Sequence, residues 1–206
     1  YTSLMLSGFL VLATLYVFYK VSCGFEIFLI AVLMLFSSKS IVNFSGSGLE
    51  NSLSWFLLSA TWYIFYFWRN HNQYILLCAL VSSLAILNRL DLSICVLPSC
   101  IFALFVKEDI GWYFRIKQFS IGLTPIVLWL IFCILYYGTP FPNTYWAKIG
   151  ATGFSASDYI YNGIIYLRAI TQRDYPSVFI IIIIYLIFIF SKMRWHLFPL
   201  TISITM

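Results

Sequence analysis

The sequence predicts an all-α fold: a polytopic bundle of transmembrane helices with about seven to eight spans. Three observations predict the bundle. Of 206 residues, 62% are hydrophobic and 9% charged, whereas soluble domains are about a quarter charged. The apolar residues come in long blocks, close to the roughly 20 residues that carry a helix across the hydrocarbon layer. Within the blocks apolar character is continuous, which fits helices and not the alternating strands of a barrel.

The first block, Tyr1 to Tyr19, carries no charge and reads as a span. Lys20, Ser22 and Gly24 break it, and Phe25 to about Phe44 reads as a second span in which Glu26 and Lys39 must snorkel. After the hinge Ser45 to Glu50, Asn51 to Trp68 is uncharged and reads as a third. Tyr74 to Asn88 and Leu92 to Val106, separated by Arg89-Leu90-Asp91, predict a tight helical hairpin. Lys107 to Lys117 is the most charged segment, and Phe119 to Tyr137 is a further span. A polar loop, residues 138–177, follows. Inside it Asp158 is placed to cap a short amphipathic helix, Tyr159 to about Ile170, expected to lie along the membrane surface. Val178 to Phe190 is another span, and Trp195 to Met206 opens a last one. The tyrosine at position 1 and the apolar run at the end predict an internal fragment of a single transmembrane domain, residues 1–206.

Several function classes fall away. The net charge of +5 is spread over single Lys and Arg residues, not a basic stripe, so no nucleic-acid partner is expected. The five cysteines, Cys23, Cys78, Cys95, Cys100 and Cys133, lie in or beside apolar runs without metal-ligand spacing and read as small apolar packers. No cofactor or metal site is predicted.

Counting crossings assigns the polar segments to faces. Lys20, Arg69, Lys107, Arg115, Lys117, Lys192 and Arg194 share one face; Lys39, Arg89, Lys148, Arg168 and Arg173 share the other. By the positive-inside rule the first face is cytoplasmic. Three polar constellations then fall together on the extracytoplasmic side: Gly48-Leu49-Glu50-Asn51, Arg89-Leu90-Asp91, and the proline-stiffened segment Gly138 to Lys148. Charged groups near a bilayer are costly and mark function. Each also has a plain reading: Glu50 as a first-turn carboxylate, Arg89 and Asp91 as a local ion pair, Tyr145, Trp146 and Lys148 as interfacial anchors.

Pro142-Asn143-Thr144-Tyr145-Trp146-Ala147-Lys148 resembles the "PNTYYAK" stretch of bacterial polytopic membrane glycosyltransferases of the GT-C type, among them mycobacterial terminal arabinofuranosyltransferases. Ser47-Gly48-Leu49-Glu50-Asn51 is similar to their "SGLET" segment, Arg89-Leu90-Asp91 to their "RPDG", and Tyr1-Thr2-Ser3 to the end of their "GYTSPLW". Leu90 and Leu92 stand where that family has proline and glycine. The resemblance runs from Tyr1 to about Tyr166 and implies sugar transfer from a polyprenyl-phosphate donor to an extracytoplasmic acceptor glycan, lipid or protein, at the cytoplasmic membrane of a bacterium. It implies Glu50 and Asp91 as catalytic-site carboxylates, with the principal base upstream of Tyr1. Arg89 and Lys148 are its candidates for the leaving phosphate, and Asn143, Thr144, Tyr145 and Trp146 for the sugar subsite or lipid entrance. The runner-up is a multi-pass transporter or flippase, which broken helices with charges in mid-span would mark.

Overall fold

The computed structural model describes residues 1–22, 24–45, 50–106, 110–140 and 156–173, with a few single positions between 175 and 186. Every element among the described residues is helical. Helix α1 is Thr2–Val21, α4 is Asn51–Phe67, α5 is Tyr74–Asn88 and α6 is Ser93–Val106. Their bounds match the expected apolar blocks to within two residues, since a polar break stands at or near the end of each. The hairpin between α5 and α6 turns through a single 3-10 turn, Leu90–Leu92.

Two expected spans are broken. The segment from Phe25 forms α2, Phe25–Ser37, and α3, Lys39–Ser45, instead of one helix. Ser38 is extended, with ψ 116°; its N–H donates to the Leu35 carbonyl at 3.2 Å, and its hydroxyl accepts from the Ile41 N–H at 3.4 Å. The serine thus closes one helix and caps the next. The segment expected from Phe119 starts earlier, as α7, Trp112–Gly122, and then bends by 49° into α8, Thr124–Tyr137. Pro125 gives the reason: it has no N–H to donate, and its ring clashes with the carbonyl four residues back. Lys117 therefore sits in a helix and not in a loop.

Helix α9, Ala156–Arg173, starts before the expected Tyr159, so Asp158 lies in its first turn, where its charge suits the helix dipole, and not at its cap. The expected spans Val178 to Phe190 and Trp195 to Met206 lie largely or wholly outside the described residues.

Helix α5 is the centre of the bundle, packed against α4, α6, α7 and α8, while α1 lies on α4. Two apolar clusters hold α4, α5 and α6 together. One joins Leu57, Ala85, Ile86, Leu92 and Val96; the other joins Phe65, Tyr74, Ile75, Cys78 and Ala103. At the second cluster the Tyr74 hydroxyl donates to the Phe65 carbonyl at 3.2 Å, near the end of α4.

What is buried is mostly small. Ser52, Ser54, Ser59, Thr61, Ser82, Ser83 and Ser99 are inside, with Ala79, Ala85, Cys100 and Ala103. Most of these hydroxyls bond a carbonyl of their own helix: Ser54 to Glu50, Ser59 to Phe56, Thr61 to Leu57, Ser83 to Leu80 and Ser99 to Val96, at 2.8–3.0 Å. Large apolar side chains point the other way. Leu12 is 66% exposed, Leu33 70% and Leu135 82%. By length and composition α1 can cross a membrane alone, and α7 with α8 can do so as a bent pair; α2, α5 and Leu90–Val106 are apolar but shorter.

Helices α5 and α7 approach closely at Gly122. A Cβ built on Gly122 would stand 2.5 Å from the Ala79 Cβ, 2.8 Å from the Leu76 carbonyl oxygen and 3.0 Å from the Leu80 nitrogen. Backbone cannot step aside as a side chain can. Gly122→Ala is expected to cost about 1–3 kcal/mol by overpacking and to lower the melting temperature in detergent. Gly8→Ala, on α1 with nothing within 4 Å of the new methyl, is expected to leave stability equal or slightly higher. Equal melting temperatures for the two variants would refute the tight α5–α7 contact.

Candidate functional site

The site lies where the start of α4 meets the end of α5. Helix α5 stops after Asn88 because Arg89 turns extended, at φ −151° and ψ 123°, with its N–H still donating to the Ala85 carbonyl at 3.0 Å. That turn releases the Arg89 side chain from the helix surface. It then reaches two partners at once. Nε and Nη2 donate to the two carboxylate oxygens of Asp91 at 3.1 and 2.8 Å, and Nη1 donates to Asn51 Oδ1 at 2.8 Å. The fork-to-fork pairing with Asp91 fixes the plane of the guanidinium, and Asn51 fixes it against α4.

Asn88 makes the second tie. Its amide donates to the Glu50 carbonyl at 3.2 Å and to Ser54 Oγ at 2.9 Å. The Glu50 carbonyl, which also accepts from the Ser54 N–H and hydroxyl, is therefore the hinge of the contact. Beneath it sits the cluster of Leu57, Ala85, Ile86, Leu92 and Val96. The polar rim thus rests on a packed floor.

The electrostatics keep a cation in place. The hydrogen bonds that Arg89 donates to Asp91 hold its guanidinium above its ordinary range, partial burial opposes this, and the charges of Asp91 and Glu50 add to it. Side-chain exposures of 36% for Arg89 and 61% for Asp91 place the pair in contact with solvent. Such a pair contributes about 0–1 kcal/mol to stability, so its larger effect is orientation. Three of the five guanidinium N–H donors are engaged in the bonds above, which among the described residues leaves two for an anionic guest. Glu50 is exposed beside them.

The structure brings together Glu50, Arg89 and Asp91, which sequence reasoning singled out, and draws in Asn51 from the same segment. It engages Glu50 through its backbone carbonyl. Asn88 and Ser54 were missed: both lie inside apolar runs, and the clue was an amide directly preceding the charged turn. The third constellation, with Asn143, Thr144, Tyr145, Trp146 and Lys148, lies outside the described residues. Its entrance is described: α8 ends at Gly138 in the left-handed conformation, φ 72°, with its N–H bonded to the Ile134 carbonyl at 3.0 Å. Among the described residues no group of three or more His, Cys, Asp or Glu could hold a metal ion.

No family model matches the chain, and no curated protein or solved structure matches it either.

Arg89 and Asn51 are expected to act as a unit. In a double-mutant cycle with Arg89→Lys and Asn51→Ala, followed by thermal unfolding in detergent, the two losses should be non-additive by about 0.5–1 kcal/mol. Strictly additive losses would show that the bond between them carries no energy.

Proposed function

We propose that this protein is a multi-pass membrane glycosyltransferase of the GT-C type that moves a sugar from a polyprenyl-phosphate donor to an extracytoplasmic acceptor glycan, lipid or protein. The observation that supports it best is the meeting of two segments 38 residues apart in sequence, through Arg89 and Asn51. Both lie in segments of the resemblance, Asn51 standing where that family has threonine, and together they hold a cation with donors to spare.

The chemistry fits these groups. A base takes the proton of the acceptor hydroxyl, its oxygen attacks the anomeric carbon, and the carbon–oxygen bond to phosphate breaks with the electron pair leaving on the phosphate. Negative charge grows there in the transition state, where an oriented guanidinium stabilises it. Arg89 takes that role, and Lys148 is the second candidate cation for the phosphate. Asp91 orients Arg89. Glu50 positions the acceptor.

The multi-pass, seven-to-eight-span reading is supported by the distribution of side chains. Small residues at helix contacts with large apolar ones facing outward is the arrangement of helices in lipid, where close packing and not expulsion from water drives association. In water so much exposed apolar surface would aggregate.

A transporter remains a second reading because two helices are broken, at Ser38, beside Lys39, and at Leu123. Transfer from a radiolabelled polyprenyl-phosphate sugar, in membranes containing the full-length protein, separates the two. Wild-type protein should yield a glycosidic product, and Arg89→Ala, Glu50→Gln and Lys148→Ala should each lower the rate about 100-fold or more. Substrate movement with no glycosidic product would favour the transporter, and near-normal turnover in all three variants would remove the assigned roles.

A further inference from the structure

Helix α9 carries a pattern that the catalytic reading does not use. Ile160, Ile164 and Leu167, at spacings of four and three, form one stripe along it. All three are exposed, at 66%, 59% and 64%. Gly163, within the same stripe, adds no side chain, and a Cβ there would meet nothing within 4 Å. The opposite face carries Asp158 and Asn162, with Gln172 beside the Tyr161 edge, and Thr171 falls within the stripe with its hydroxyl donating to the Arg168 carbonyl at 2.8 Å. Ile165 is the large apolar side chain that departs from this division.

The two edges are more telling than the faces. At about 100° per residue, Tyr161 falls on one edge of the stripe and Tyr166 on the other, both exposed. Arg168 follows Tyr161 by seven residues and so shares its edge. Tyrosine prefers the boundary between hydrocarbon and water, where its ring is apolar and its hydroxyl wet. A cation on a long stem lies along such a boundary with its head among phosphates. A helix packed on protein has no need of tyrosines along both edges. A helix half-sunk in a bilayer has two such lines, and this one carries a tyrosine on each.

We infer that α9 docks in the plane of a lipid surface, apolar stripe down, with Arg168 on the phosphates of anionic phospholipid. This rests on the membrane part of the proposed function and not on sugar transfer. Its stripe would sink about 5–10 Å, to the headgroup–acyl boundary. The preference for anionic lipid should be modest, since one arginine near a charged surface changes affinity by roughly fivefold.

The test is lipid photocapture by the full-length protein in phosphatidylcholine vesicles with and without phosphatidylglycerol. p-Benzoylphenylalanine is placed at Ile164 on the stripe, at Asn162 on the polar face, or at Leu12 on α1 as a membrane control. Capture of phospholipid at position 164 several-fold above position 162, rising with phosphatidylglycerol and losing that rise in Arg168→Gln, supports the docking. Equal capture at 162 and 164, or cross-links from 164 to protein, overturns it while lipid capture at Leu12 leaves the membrane reading intact. Absence of capture at all three positions overturns both. Because the readout is a lipid adduct, loss of transferase activity has no bearing on it.

Discussion

Among the described residues helix α5 packs against four other helices, and it can do so because most of what it buries is small. From Cys78 to Ala85 its buried residues are Cys78, Ala79, Ser82, Ser83 and Ala85. None is large enough to hold a neighbour at arm's length. Helix α7 comes close, with Gly122 set against Ala79 and the α5 backbone. Bulkier groups appear at the two ends, Tyr74 and Ile75 at one and Ile86 at the other, and these anchor the two apolar clusters. The ends of α5 are therefore held firmly, and the middle sets the spacing.

The candidate site follows from that arrangement. Fixing the last turn of α5 against the first turn of α4 leaves Arg89 little choice of position. Its extended backbone then aims the side chain across the helix ends, where Asn51 and Asp91 hold it. A cation so held loses little freedom when an anion arrives, which is the advantage of a pre-formed site over a mobile lysine.

Much of this was legible in the sequence, and the remainder fails to show for physical reasons. The bounds of α1, α4, α5 and α6 were readable because polar residues end each apolar run. That Glu50 meets Arg89 and Asp91 was readable from the order of the breaks, since helices that alternate in direction bring every second break to the same end. The breaks at Ser38 and Leu123 were not readable from hydropathy, which does not register a serine that caps a helix or a proline two residues into the next one. Asn88 was hidden inside an apolar run. Nor could hydropathy tell the inside of the bundle from its outside, because the outside is the more apolar of the two. Burial here sorts by size, a property on which Ser82 and Ala79 are nearly alike.

The hydroxyls along α4 have a consequence for how such a chain is made. Ser54, Ser59 and Thr61 each bond a carbonyl of α4 itself, as Ser83 does within α5 and Ser99 within α6. Those polar atoms are satisfied before any other helix is present. On the membrane reading, each segment can leave the insertion machinery singly and wait in lipid, with no unsatisfied hydroxyl from this set demanding a partner. The order of synthesis need not be the order of assembly, and the small residues that let the helices close together also let them arrive apart.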